Sequence, residues 1–320
     1  MNRAARNILI GSGVTAAAMG AVSRLITDYM MKVAMDRDLP NVRHMAAARA
    51  HLCGIPNAED FFRTLEQMGE KLKHTPCETV EICACDGEKM VGHLCRCEDA
   101  ERVIVAMHGW RSSWWRDFGI ISQFWQENRC TVLYAEQRGQ NNSGGDHMGF
   151  GLLERFDCLE WAKWVSDRFD LPVYLAGVSM GATTVLMASG LELPGSVRGI
   201  IADCGFTSPE DIWRHVTRHN LHLPYSVRSA AANSICRRKI QMGANEYSTL
   251  AALEKNRVPV LFIHGADDHF VPVEMTYENY KACTAPKRLL VVPGADHGMS
   301  YLLEPEGYQG MMVDFWTAFR

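Results

Sequence analysis

From about residue 78 onward the chain alternates short, unbroken apolar runs with longer amphipathic stretches, an order few architectures accommodate. The runs are Val103–Met107, Thr131–Ala135, Val173–Ala176, Gly199–Ala202, Val258–Ile263 and Leu289–Val292. A strand solvated on one face alternates apolar with polar residues, so these continuous runs predict strands covered on both faces. Between them the spacing predicts helices over Phe118–Asn128, Leu153–Arg168, Met180–Ser189, Val273–Cys283 and Met299–Phe319. Strand–helix alternation requires parallel crossovers, so the expected class is α/β, a doubly wound and mostly parallel sheet. Asp86-Gly87, between Val80–Cys85 and Met90–Cys97, predicts an antiparallel N-terminal hairpin at one edge. The connection from Cys204 to Val258 spans 55 residues, far more than a crossover needs. Helical stretches within it, Asp211–His219 and Val227–Ile240, read as a small helical cap over about 206–250.

Charge separates two regions. The chain carries 33 Lys and Arg against 37 Asp and Glu, a net of −4, which argues against a nucleic-acid binder that works by neutralising phosphates. Residues 1–50 hold seven basic and three acidic side chains, leaving −8 for the remainder. We therefore divide the chain into a helical leader, 1–77, and a body, 78–320. In the leader, seventeen uncharged residues run from Asn7 to Ser23 behind Arg3 and Arg6. That stretch is short for a bilayer and rich in Gly, Ala, Ser and Thr. Leu25, Ile26, Tyr29, Met30, Val33 and Ala34 then extend an amphipathic pattern, so residues 8–35 predict either a helix packed on the body or a membrane contact. Eleven scattered cysteines, with Cys130, Cys158, Cys204 and Cys283 beside apolar residues, read as small buried hydrophobes in a reducing, cytoplasmic setting. Cys83-Ala-Cys85 and Cys95-Arg-Cys97 suggest a four-thiolate metal site, but the hairpin sets Cys83 opposite about Met90 and Cys95 opposite about Thr79, too far apart to share one zinc.

The chemistry is concentrated at the ends of the expected strands. Gly177-Val178-Ser179-Met180-Gly181 follows a strand and opens a helix. Such a sharp turn needs glycines beside the serine, and it thrusts the hydroxyl out where helix N–H groups favour a developing anion. A serine needs a base, and the base needs orienting. His297 lies in the loop after the last strand, and Asp268 in the loop after the strand before it. The order Ser, acid, His suits this architecture. Asp267 and Asp203 compete as the acid; Val271-Pro272 turns the chain in a way that favours Asp268. Oxyanion donors are expected from the N–H of Met180 and, after His108-Gly109, from that of Trp110.

Together, His108-Gly-Trp110, Arg138-Gly139, Gly177-Val-Ser-Met-Gly181, Asp203-Cys-Gly-Phe-Thr-Ser208, His264-Gly-Ala-Asp-Asp268 with Val271-Pro272, and Gly294-Ala-Asp-His297 resemble the α/β-hydrolase superfamily. The set is most similar to bacterial hydrolases related to serine aminopeptidases, acyl esterases and prolyl-oligopeptidase catalytic domains. The resemblance covers about 78–320 and implies Ser179, Asp268 and His297 as triad, Met180 and Trp110 as oxyanion donors, and no cofactor. Glu136-Gln137-Arg138 departs from it, since such proteins often carry an aspartate two before the arginine. Trp114, Trp115 and Phe206 are candidate walls of a substrate pocket, with core packing as their alternative reading. His215 and His219 share zinc-ligand spacing, but Val216 stands where a metalloprotease needs glutamate and Arg214 and Arg218 repel a cation. The expected function is a serine hydrolase acting on a small-molecule ester or related acyl compound. A peptidase or amidase of the same fold and a non-catalytic binding module are the alternatives.

Overall fold

The computed structural model describes residues 20–38 and 58–320. The apolar stretch before residue 20 lies outside the described residues. Among the described residues eight strands form one sheet in the order β1-β2-β4-β3-β5-β6-β7-β8. They are β1 Glu78–Cys83, β2 Lys89–Cys95, β3 Arg102–Met107, β4 Cys130–Ala135, β5 Val173–Val178, β6 Val197–Asp203, β7 Val260–Gly265 and β8 Lys287–Val292. β1, β2 and β4 pair antiparallel, and all pairings from β4 through β3 to β8 are parallel. The α/β class with an antiparallel hairpin edge is the observed one.

The unbroken apolar runs have the expected cause. β3, β4 and β7 are buried along almost their whole length because helices cover both faces. Val103, Val105 and Met107 point into a core with Trp161, Val165 and Val185, whereas Ile104 and Ala106 meet Phe118, Trp125, Phe315 and Trp316 on the other face. The covering helices are α1 (residues 20–35), α2 Ala58–Lys73, α3 Trp114–Glu127, α4 Glu154–Ser166, α5 Met180–Ala188, α6 Pro209–His215, α7 Ser229–Ile240, α8 Thr249–Leu253, α9 Val273–Ala282, α10 Ser300–Leu303 and α11 Pro305–Ala318. The single C-terminal helix expected from Met299 is broken in two at Glu304-Pro305. Pro305 supplies no N–H and restricts the residue before it, so it starts α11 rather than continuing α10. Between β6 and β7 the long excursion carries α6, a π-helical turn at Val216–Asn220, α7 and α8. Among the described residues no helix is long and apolar enough to cross a membrane.

Two expectations about the hairpin are corrected. Met90 pairs with Ile82, and Cys83 with Lys89, one residue from the expected register. Glu78 pairs with Leu94, so Cys77 meets Cys95, and the two form a disulfide. Cys95 is thus joined to Cys77 instead of being a free thiol, whereas Cys130, Cys158, Cys204 and Cys283 are buried free thiols as expected; Cys236 is buried too, and Cys83 and Cys85 are exposed. The leader is also more tightly integrated than a detached segment: Gly119 of α3 has no room for a Cβ because Gly69 of α2 packs 2.5–2.6 Å from that position.

Candidate active site

β3 and β5 are neighbours, with Met107 opposite Gly177, so the loops after them emerge side by side. The turn after β5 is as tight as the glycines imply. A Cβ on Gly177 would lie 2.2 Å from the Gly181 carbonyl oxygen, and one on Gly181 would lie 1.8 Å from that of Met107. Ser179 sits at φ 56°, ψ −118°, a strained conformation for a residue with a side chain. Its N–H donates to the Asp203 carbonyl at 2.8 Å, and this bond with the packing of both glycines holds the strain.

The Ser179 Oγ lies 2.9 Å from His297 Nε2, and His297 Nδ1 lies 2.7 Å from Asp268 Oδ2. A carboxylate only accepts, so Nδ1 carries the proton and Nε2 accepts from the serine hydroxyl. The other Asp268 oxygen accepts from the N–H groups of Phe270 and Val271, both at 2.8 Å. Burial by itself raises the Asp268 pKa, but charge on His297 and hydrogen bonds from His264 and His297 outweigh it and hold this carboxyl well below the usual range.

The competing acids are placed elsewhere. Asp267 is exposed. Asp203 is buried beneath the site, within 3.2 Å of the Tyr308 hydroxyl and 3.4 Å of that of Ser300, and burial raises its pKa.

Met180 follows the serine directly, and Trp110 follows Gly109 in the loop after β3. A Cβ on Gly109 would touch Ser179 Cβ at 3.4 Å, so the β3 loop passes in van der Waals contact with the elbow. The N–H groups of Trp110 and Met180 donate to no acceptor among the described residues. Phe206 is buried with Met180, Phe150, Met187, Trp213 and Tyr225 in one apolar cluster, and Trp110 packs against it. The other two tryptophans are packed elsewhere. Trp114 stacks on His93 with ring centroids 4.4 Å apart and joins the core around Tyr134. Trp115 lies against Gly69 and beneath the Lys73 ammonium of α2. They are the first residues of α3, and a helix start beside a site offers its side chains to the core as readily as to a ligand.

Several supporting residues were not singled out from sequence. His264, fully buried, donates from Nε2 toward Val271 O at 2.9 Å and Asp268 Oδ2 at 3.1 Å, while Thr276 Oγ1 lies 2.6 Å from its Nδ1. Asp117 accepts from Gly109 N at 2.6 Å and from the Ser112 hydroxyl, fixing the β3 loop. Asp296 accepts from His297 N at 2.7 Å and His269 N at 2.9 Å, tying the histidine loop to the acid loop. Phe270 meets the His297 ring edge-on at 5.1 Å. No short motif marks these residues; only the His-Gly that precedes Asp268 hinted at His264. The departure at Glu136 is accommodated locally: its buried carboxylate pairs with His93 at 2.8 Å and accepts from Asn142 N at 2.5 Å.

Metal binding fits the site poorly. Among the described residues one trio of potential ligands, Cys204, Asp268 and His297, lies within 4.8 Å. Burial and then the charges of Asp203 and Asp268 push the Cys204 thiol well up, so it stays protonated, and the other two groups already bond each other. His215 and His219 stack on each other at 4.7 Å, and among the described residues no third ligand joins them.

Comparison with known proteins agrees with this architecture. The model of the prolyl oligopeptidase family matches residues 117–315. The chain is 26% identical over 261 residues to the uncharacterized protein YqkD of Bacillus subtilis, covering 81% of this chain and 83% of that one. It is 25% identical over 248 residues to the uncharacterized protein YfhR of Escherichia coli K12, covering 74% and 80%. In structure it is similar to the esterase PF2001 of Pyrococcus furiosus, with TM-score 0.63 and 20% identity over 76% of this chain and 91% of that one. It is also similar to Est1E of Butyrivibrio proteoclasticus with ferulic acid bound, with TM-score 0.59 and 20% identity over 74% and 99%. A sheet of this order, an elbow after β5 and a family match over most of the body lead to one assignment: the chain is an α/β-hydrolase and belongs to the prolyl oligopeptidase family.

Proposed function

We propose that the chain is a serine hydrolase that cleaves a carboxylic ester or related acyl compound. The observation that carries this reading is the continuous hydrogen-bonded series Ser179–His297–Asp268, at 2.9 and 2.7 Å. In this mechanism Ser179 Oγ attacks the substrate carbonyl carbon while His297 Nε2 takes its proton. The Met180 and Trp110 N–H groups receive the oxyanion. The tetrahedral intermediate collapses, His297 protonates the departing alcohol, and an acyl-enzyme remains. Water, deprotonated by the same imidazole, then attacks it and releases the acid. Asp268 keeps the Nδ1 tautomer and balances the imidazolium charge. No step calls for a cofactor.

The apolar cluster beside Met180, with Phe150, Phe206, Trp213 and Tyr225, suits an acyl chain or aromatic acid. The esterases among the similar structures, one with ferulic acid bound, support an ester over an amide. The family's name favours the second reading, a peptidase using the same residues with an amine leaving group. A panel of acyl esters of graded chain length beside aminoacyl anilides, with Ser179→Ala as control, separates the two. Turnover of esters alone supports the first reading. Faster anilide cleavage selects the second, and turnover retained in Ser179→Ala rejects both.

A further inference from the structure

The segment 20–37 lies outside the part of the chain that matches the family model, yet it is bonded directly to the loop after β3. The Trp110 indole N–H donates to Ala34 O at 2.8 Å. Arg111, at φ 52°, donates from two nitrogens to Val33 O at 3.0 and 2.8 Å and to Asp36 O at 2.5 Å. The Val33 and Ala34 carbonyls belong to the last turn of α1, where helix acceptors lack internal partners and attract cations, and Asp36 follows directly. Met31 and Met35 from the same turns are buried in the cluster that contains Met180. α1 therefore grips the residue carrying one candidate oxyanion donor and packs into the cluster holding the other.

Its own position is fixed from three further sides. Met148 N donates to Met35 O at 2.7 Å, and Arg37 reaches the carbonyls of Asn141 at 2.6 Å and Gly145 at 3.1 Å. Lys239 of α7 pairs with Asp36. The loops after β3 and β4 and the excursion between β6 and β7 thus converge on residues 31–37. On the opposite face Val22, Leu25 and Tyr29 are exposed, so a single helix offers an inner, site-facing stripe and an outer one.

We infer that α1 is a positioning element of the oxyanion hole: through Ala34, Val33, Asp36 and Met35 it holds the Trp110 N–H in line with that of Met180. This inference rests on the serine-hydrolase reading. Oxyanion stabilisation depends on donors lying about 2.7–3.1 Å from where the charge develops, so a displaced loop lowers turnover with little effect on ground-state binding. Losing one donor outright costs roughly 100- to 1000-fold, and misplacing it costs part of that.

The test uses the full chain with Arg111→Gln and Met35→Asp, and Leu25→Ser and Tyr29→Ser on the outer face as controls. The readouts are kcat and KM for the best ester, affinity for a trifluoromethyl ketone analogue that forms a tetrahedral adduct, and thermal unfolding. The inner-face variants should lose about 10- to 100-fold in kcat with KM within about 3-fold, and ketone affinity should fall in parallel. Arg111→Lys should recover part of the loss, and the outer-face variants should match wild type. Equal kcat in folded inner-face and wild-type proteins would overturn the inference, as would a loss confined to KM or shared by the outer-face controls. If Met35→Asp fails to fold, Arg111→Gln decides alone. Wild-type protein without esterase or anilide turnover would refute the serine-hydrolase reading instead, and is distinguishable for that reason.

Discussion

Asp268→Asn tests the acid of the triad through its bonding pattern rather than its size. In the wild type, Oδ1 accepts from the Phe270 and Val271 N–H groups, and Oδ2 accepts from His297 and His264. An asparagine must keep its oxygen toward the two backbone donors, since turning its amino group there would set donor against donor. Its NH₂ then faces His297 Nδ1, which must give up its proton and become an acceptor. The remaining imidazole proton moves to Nε2, the atom that has to receive the Ser179 proton, so the base is lost while the fold remains. In a triad of this kind the same exchange costs about 10⁴ in kcat. At 1.36 kcal/mol per decade that is about 5.5 kcal/mol of barrier. Steady-state hydrolysis of a nitrophenyl ester measures it, with Asp267→Asn and Asp203→Asn as comparisons. Asp267 is exposed and Asp203 bonds Tyr308 and Ser300, so neither exchange should approach that loss. An Asp268→Asn enzyme within 10-fold of wild type, or an Asp203→Asn enzyme that falls further, would refute the reasoning.

Gly181→Ala should prevent folding or sharply lower the melting temperature, because its Cβ would sit 1.8 Å from the Met107 carbonyl oxygen. Gly195→Ala, with nothing within 4 Å, should melt like wild type in the same calorimetric scan. The acid limb of the kcat/KM profile should follow a single proton, falling as the His297 imidazole is protonated. Asp268 stays ionised throughout that limb because its pKa is depressed, so a limb with a slope of two would contradict the assignment. The same depression contributes stability that is fully present above the unfolded carboxylate pKa of about 3.9 and is lost as pH falls toward the folded value. Melting temperature should therefore drop less steeply below pH 4 in Asp268→Asn than in wild type. Reducing the Cys77–Cys95 disulfide, which closes a loop of sequence separation 18, should cost about 3 kcal/mol and lower the melting temperature by several degrees. Cys77→Ser should be insensitive to reductant, and equal melting of wild type with and without reductant would remove the bridge from the account.

Features set by local pattern were legible in the sequence. β3, β4 and β7 are buried on both faces, so their apolar runs had no competing reading, and Gly-x-Ser-x-Gly announces a turn whose crowding the structure makes explicit. Features set by register or by distant partners were harder to read. A shift from Thr79 to Cys77 as the residue facing Cys95 separates a free thiol from a disulfide, and alternating residues on an exposed edge do not specify that shift. The role of Asp296 exists only once β7 and β8 are side by side, and those of Asp117 and His264 only once the loops after β3 and β7 fold back on themselves. Trp114 and Trp115 left a pocket wall and core packing both open, because their partners His93, Tyr134 and Gly69 come from β2, β4 and α2, out of view of local pattern. The leader's amphipathic pattern left a packed helix and a membrane contact both open, and the loop that α1 grips is held through backbone carbonyls, which a sequence does not rank.

The central claim is that Ser179 is a nucleophile activated by His297. Incubating the folded, full-length protein with a fluorophosphonate and mapping the adduct by mass spectrometry tests it most directly. One adduct per chain is expected, on the peptide containing Ser179, absent in Ser179→Ala and formed far more slowly in His297→Ala. An unlabelled wild-type protein, or labelling that persists undiminished in Ser179→Ala, would contradict it.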